Sequence, residues 1–338
     1  MSSVSALGNN PEIIWNNYKN NNHFLTQNDL LNQKIWVSKL DEATNNLIKS
    51  IAESDQKYKS LDRSVLMAIA VSRKAMQIAG WNANDNFGIN IGSSRGATEL
   101  FEKHHIEFIQ TGKAHTLASP TTTLGNISSW ISHDLQTQGP EISHSITCST
   151  ALHAMLNGVA WLRAGMATKF MVGGSEAPLT DFTIAQMQAL KIYARENLDF
   201  PSRALDLVKT QNSMVLGEGA AVCCLEIGKS PNALAYIESF GYATEILEHN
   251  ISISAEAICF QKSMKMALKD IDLSEVDAIV MHAPGTKAGD SSEYKAIQNV
   301  FGSQLPMLTT NKWKIGHTFG ASGILSLELA VLMLQHQE

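Results

Sequence analysis

Short apolar runs of strand character alternate with helix-patterned stretches along most of this chain, and many of the changeovers fall on small residues. Strands that alternate with helices at this spacing pair mostly in parallel and need helices over both sheet faces. From Ser60 to Gly80, Val65, Leu66, Ile69, Ala70, Ala75, Met76 and Ile78 recur at helical spacing, and Gly80 supplies a stop. A buried strand is predicted over Phe87–Ser94, and Gly139-Pro140 punctuates before a second, Glu141–Ile146. After Cys148 a helix runs to about Ala164. The strands Lys169–Ala177 and Gly217–Glu226 follow. Beyond Gly228–Asn232 the style repeats: strand Leu234–Ala243, helix Ala255–Asp270, strand Asp277–Gly285, helix Asp290–Gly302, strand Pro306–Thr310 and helix Ser322–Gln335. The Asn-rich residues 9–30 read as a solvated helix and loop outside the core.

At about 150 residues per domain, 338 residues suggest two domains or one large duplicated unit. The Gly228–Asn232 stretch is the natural boundary, dividing the chain into 1–229 and 230–338. A net charge of −6 leaves no basic footprint for nucleic acid. The four cysteines form no CxxC pair and no disulfide framework, which points to a reducing compartment. No secretory leader pattern opens the chain, and no run approaches a membrane span. The expectation is a cytoplasmic protein without a membrane span.

Three strand-to-helix junctions carry reactive side chains, the place where open α/β sheets usually bind ligands. Cys148 stands before a helix, where unpaired N–H groups and the helix dipole favour a thiolate. A buried, inert cysteine is the alternative reading. His282 ends an apolar strand and suits acid/base or hydrogen-bonding work, or else a structural role. The stretch Thr309–Gly323 packs Lys312, Lys314 and His317 into a turn with Gly316, Gly320 and Gly323, without the order of a P-loop or a dinucleotide fingerprint. One Cys and two His at three corners suit acyl chemistry: the thiol attacks a carbonyl and the imidazoles stabilise developing negative charge. Zinc is the rival. A catalytic site of that type expects outer-shell carboxylates, and no metal is assigned.

These segments resemble the β-ketoacyl-acyl-carrier-protein synthases. "ITCSTALHAM" looks like the family's nucleophile motif and "FMVGGSEA" like the strand after it. "SRALD" and "VLGEGAAVCCLE" are similar to its Arg-Pro-Phe-Asp and Gly-Glu-Gly-Ala segments. "HAPGTKAGDSSE" resembles the His-Gly-Thr-Gly-Thr motif, with Asp290 and Glu293 as the later acids. "TTNKWKIGHTFGASG" resembles the Lys-x-x-x-x-His motif, making Lys312 the family lysine and His317 the second histidine. The resemblance runs over about Ser3 to Gln335 and matches the elongating Cys-His-His type.

It implies a thiolase-like α/β fold, two similar halves stacked in five layers, working as a homodimer or with a second ketosynthase-like subunit. The implied reaction is a decarboxylative Claisen condensation, with no bound cofactor and the phosphopantetheine arm delivered by an acyl carrier protein. Cys148 would carry the acyl chain, His282 and His317 would bind the enolate oxygen, and Lys312 would order the site by pairing with Glu293 or nearby backbone. Thr286 and Gly320 are candidate substrate contacts. Ala283 and Pro284 replace the family's first Gly and Thr, and Ala204 replaces a Pro. The C-terminal half is expected to lack two last strands and a Gly-Phe-Gly-Gly turn that supplies an oxyanion donor. Lys57, Lys59 and Arg63 are candidate contacts for an acidic carrier protein. A non-catalytic, chain-length-factor-like subunit is the alternative; such partners usually lose the nucleophile.

Overall fold

The computed structural model describes residues 1–124, 126–196, 198–246 and 254–338. The chain opens with β1 (Ser2–Val4), α1 (Pro11–Lys19), the hairpin β2 (Thr26–Leu30) and β3 (Gln33–Ser38), and α2 (Glu42–Ser54). Then come α3 (Arg63–Ala79), β4 (Gly88–Gly92), α4 (Thr98–Thr111), α5 (Ala118–Thr122), α6 (Asn126–Leu135) and β5 (Glu141–Ile142). Next are α7 (Thr150–Arg163), β6 (Lys169–Glu176), α8 (Asp181–Ala189), β7 (Leu216–Gly217) and β8 (Gly219–Glu226). The last part holds α9 (Ile258–Ala267), β9 (Ala278–Val280), α10 (Lys287–Phe301), β10 (Met307–Thr309), α11 (Lys312–Ile315) and α12 (Ser322–His336).

A five-stranded sheet in the order β1-β8-β6-β4-β5 forms the centre of the first part. Successive strand residues face opposite ways, and the sequence uses both faces. Met171, Ala220 and Val222 join Ile69, Val71 and Ile131 in a core under α2, α3 and α6. Phe170, Val172, Ala221 and Cys223 join Ala151, Ala154, Ile324 and Leu329 under α7 and α12. Beyond α12 lies a parallel pair, β9 and β10, and then a third core with Met281, Ile297 and Phe301 against α9 and α10. The order helix, sheet, helix, sheet, helix gives the thiolase-like α/β architecture. The stretch Phe319–His336 is apolar and long enough to cross a membrane. Here it supplies the middle helix of these layers, with Ile324, Leu325, Glu328, Leu329 and Leu332 buried.

Four expectations need correction. The main sheet is mixed: β4 is parallel to β5 and β6, whereas β8 is antiparallel to β6 and β1. A buried apolar run reads the same in either direction, so composition could not settle this. Residues 9–30 reach the core, with Ile14 and Trp15 buried beside Leu329 and Leu332. Leu234–Ala243 forms no strand; a strand needs a hydrogen-bonded neighbour, and none pairs with it among the described residues. Glu141–Ile146 pairs only over Glu141–Ile142, after which the chain turns into the site.

Candidate active site

Cys148 sits in a sharp turn between β5 and α7. Thr147 takes φ +46°, a left-handed conformation that a β-branched residue adopts only under strain of about 1–3 kcal/mol. The Thr150 hydroxyl holds the turn closed, accepting from the Ile146 N–H at 2.9 Å and donating to the Thr147 carbonyl at 2.6 Å. The sulfur packs against the apolar cluster of Ile184, Met187, Leu216 and Phe319.

His317 is fixed by its backbone. Its N–H donates to the Val215 carbonyl at 2.7 Å and its carbonyl accepts from the Gly217 N–H at 3.1 Å, beside β7. Gly316 allows this approach: at φ +67°, a Cβ there would lie 2.8 Å from the Val215 oxygen. His282 follows the end of β9. Glu293 of α10 accepts from the His282 and Ala283 N–H groups, each at 2.7 Å, and so holds that junction in place.

The two rings meet edge to face with centroids 5.0 Å apart. His317 Nε2 lies 3.1 Å from Cys148 Sγ. One potential donor or acceptor atom from each of Cys148, His282 and His317 falls within 4.8 Å of the others. The structure therefore brings together three side chains separated by up to 169 positions. By proximity they could hold a metal. Metal-ligating imidazoles, however, almost always engage a carboxylate, carbonyl or water through the second ring nitrogen. Among the described residues His317 Nδ1 is buried and meets no carboxylate or carbonyl, so the protein supplies it none of that outer support, while a thiol beside two imidazoles suits acyl chemistry.

Burial dominates the electrostatics. It pushes the Cys148 thiol up to about 11, Glu176 adding to the push and Lys312 opposing it. That reverses the expected low thiol pKa: α7 begins two residues after Cys148, and the backbone N–H that favours the thiolate is the cysteine's own. Burial, then Lys312, drives His282 down to about 3. His317 falls well below its ordinary value through burial, then His282 and Lys312. Both imidazoles are neutral at pH 7 and can donate hydrogen bonds without carrying charge.

Lys312 is buried and donates to Asn311 Oδ1 at 3.1 Å and Ser326 Oγ at 3.2 Å. It makes no ion pair with Glu293 among the described residues, contrary to the expected pairing. Burial lowers its ammonium to about 8, with Glu293 opposing.

Asp290 does bind backbone. It accepts from the Gly285 N–H at 3.0 Å, the Leu205 N–H at 2.9 Å and Lys209 Nζ at 2.6 Å. Thr286 is buried, and its hydroxyl oxygen caps α10 by accepting from the Gly289 N–H at 3.2 Å. Gly320, also buried, donates its N–H to Glu176 at 2.8 Å. Each of these expected substrate contacts thus makes a hydrogen bond within the site's framework.

Of the basic trio, Lys59 is exposed. Lys57 lies 3.2 Å from His133 and 5.0 Å from the Tyr58 ring centroid. Arg63 turns inward, donating to both carboxylate oxygens of Glu218 at 2.7 and 2.9 Å. Its guanidinium is engaged in an ion pair within the fold. Sequence reading also passed over Glu176. The signal was available: an acid closing a buried strand of small residues must have donors waiting.

The Beta-ketoacyl synthase N-terminal domain family matches residues 1–229, and the Beta-ketoacyl synthase C-terminal domain family matches 234–338. The chain belongs to the β-ketoacyl synthase family. Among relatives of this family, a 3-oxoacyl-[acyl-carrier-protein] synthase 2 of Staphylococcus aureus (strain N315) is 26% identical, over 99% of this chain and 84% of the relative. Nodulation protein E of Rhizobium sp. (strain N33) is 26% identical over 85% of this chain and 74% of its own length. A β-ketoacyl synthase from Burkholderia phymatum superposes with a TM-score of 0.84 at 20% identity, covering 99% of this chain and 85% of that one. The ishigamide ketosynthase/chain length factor gives 0.83 at 19% identity, over 99% and 84%. A type II polyketide ketosynthase in complex with its acyl-carrier protein gives 0.84 at 20% identity, over 98% and 84%. At such identities the structural likeness speaks for the fold.

Proposed function

We propose that this chain is an elongating condensing enzyme that joins a Cys148-bound acyl group to malonyl-acyl carrier protein. The observation that carries the reading is the meeting of the Cys148 thiol with the His317 and His282 rings within 4.8 Å. In the first step, the sulfur attacks the thioester carbonyl of an acyl carrier protein. The carrier's thiol leaves with a proton, and the acyl group stays on Cys148. In the second, malonyl-carrier protein loses carbon dioxide, and the electron pair of the broken C–C bond becomes an enolate. Neutral His317 and His282 donate hydrogen bonds to the enolate oxygen, charge stabilisation that is strong in a dry site. In the third, the enolate carbon attacks the Cys148 thioester and the sulfur leaves as thiolate. The product is a carrier-bound β-ketoacyl chain longer by two carbons.

No cofactor of the chain's own enters this scheme; phosphopantetheine arrives on the carrier. Lys312 favours the thiolate from a buried position, and Glu293 and Asp290 hold the His282 loop. A second ketosynthase-like subunit or a second copy is the expected partner, and Lys59 with Lys57 forms part of the carrier-docking face.

The alternative, a non-catalytic chain-length-factor-like subunit, does not need this triad. Incubation with acyl-carrier protein followed by mass spectrometry of the Cys148 peptide separates the two. An acyl adduct on Cys148, absent in Cys148→Ala, supports catalysis. Its absence with every acyl donor, alone and with a partner subunit, would leave the non-catalytic reading. His282→Ala is expected to spare acylation more than malonyl decarboxylation.

A further inference from the structure

Glu176 ends β6 with no exposed surface, and its carboxylate collects donors from two separate segments. Oε1 accepts from the Ser93 hydroxyl at 2.8 Å and the Arg95 N–H at 3.1 Å; Oε2 accepts from the Ser94 N–H at 2.7 Å and the Gly320 N–H at 2.8 Å. Ser93, Ser94 and Arg95 leave the end of β4. Gly320 lies three residues after His317, in the turn that carries Phe319 against the His317 ring. The space is cut to fit: a Cβ on Gly320 would lie 2.5 Å from the Ser94 nitrogen and 2.7 Å from Glu176 Oε2. No cation forms an ion pair with Glu176 among the described residues. A buried carboxylate with four donors and no counter-ion is costly to keep, yet neither acylation nor decarboxylation in the proposed scheme uses it.

We propose that Glu176 is a positioning residue of this site: its carboxylate ties the loop after β4 to the turn after His317 and places a negative charge beside the Cys148 thiol. The bound segments fix the wall on which Phe319 and His317 sit. The carboxylate is bound to Gly320, next to Phe319, whose cluster packs against Cys148; from there its charge adds to burial, the larger cause, in opposing loss of the thiol proton, so Cys148 rests as a thiol until an acyl donor and His317 engage it. Burial lifts the Glu176 carboxyl itself to about 7, with its four donors opposing, so the charge is developed above that pH. The other titratable groups that face the sulfur are His317, His282 and Lys312. Of these Lys312 pulls the thiol the opposite way.

The inference rests on Cys148 being the reactive group of the proposed site. Its test needs no acyl donor, so its failure is distinct from failure of the condensing reading. Iodoacetamide alkylation is followed from pH 5 upward by mass mapping of the Cys148 peptide, which separates it from Cys223, Cys224 and Cys259. Glu176→Gln keeps the shape and removes the charge. The alkylation midpoint is expected to fall by about one unit, which is about tenfold faster alkylation below the midpoint. Glu176→Asp keeps the charge on a shorter arm and is expected to leave the midpoint near that of the unmodified protein, a difference that structural loosening alone would not produce. A folded Glu176→Gln protein with an unchanged or higher midpoint overturns the proposal, as does an equal fall in both variants. Should Glu176→Gln fail to fold, the unmodified protein still decides: charging of Glu176 near pH 7 should hold the alkylation rate about tenfold below the line extrapolated from lower pH, and a rate that climbs an unbroken tenfold per pH unit from about pH 5 to about pH 9 overturns the proposal.

Discussion

The Lys209–Asp290 pair offers a quantitative test of how the His282 loop is held. Its two side chains are 2% and 0% exposed, and Nζ lies 2.6 Å from Oδ2. Lys209→Met keeps the apolar stem and removes the cation. At that distance and an effective dielectric of about 20, the gross attraction is about 6 kcal/mol. Removing the buried ammonium also removes its desolvation penalty of a few kcal/mol, so the net loss is about 3–5 kcal/mol. The Leu205 and Gly285 N–H groups still bind Asp290, which sets the expectation at about 3 kcal/mol. Urea unfolding followed by circular dichroism measures it. Adding Asp290→Asn is expected to recover part of the loss, because no uncompensated charge then remains. A loss under about 1 kcal/mol for Lys209→Met would refute the claim that this buried charge needs its partner.

Three further outcomes follow from the same physics. Burial raises Glu328 from 4.5 to about 7, with the Ser3 hydroxyl opposing. The folded state therefore holds the proton more tightly, and stability is lost as pH rises through that range. Glu328→Gln should raise the melting temperature at pH 8 and lose its advantage toward pH 4.5 or below; an equal effect at both ends would contradict this. Since burial holds both imidazoles neutral below their ordinary value, malonyl decarboxylation should stay flat as pH falls from about 6 to about 5, below the range in which Glu176 and Lys312 titrate, whereas a fall in rate across that range would show an imidazole taking up a proton. Arg63→Ala should cost about 2 kcal/mol of stability by stripping Glu218 of its partner, while Lys59→Glu should leave stability alone and weaken carrier binding in a titration.

How much of this was legible in the chain depended on whether the information was local. The helix Arg63–Ala79 and its stop at Gly80 were visible because helical periodicity and a left-handed cap are short-range features. Cys148, His282 and His317 stood out because each reactive side chain lay beside small residues at a strand-to-helix corner, and the family resemblance tied them together. What was hidden is long-range. The inward turn of Arg63 depends on Glu218, 155 residues away. The burial of Ile14 and Trp15 depends on α12, at the other end of the chain. The direction of β8 depends on how the connection from α8 crosses the sheet. The thiol's raised pKa is likewise a property of the closed site, where burial outweighs the helix terminus that the sequence advertised. Thr286 and Gly320 were seen as chemistry because their types suit it; their hydrogen bonds go instead to the α10 cap and to Glu176.

The central claim is that Cys148, His282 and His317 form a working condensing centre. The most direct measurement supplies acyl- and malonyl-carrier protein together, with the partner subunit if one is required, and weighs the carrier-bound product by mass spectrometry. The account predicts a β-ketoacyl chain two carbons longer than the starter, formed with loss of carbon dioxide and abolished in Cys148→Ala. A folded protein that accepts neither donor, or a Cys148→Ala variant that still extends the chain, would contradict it.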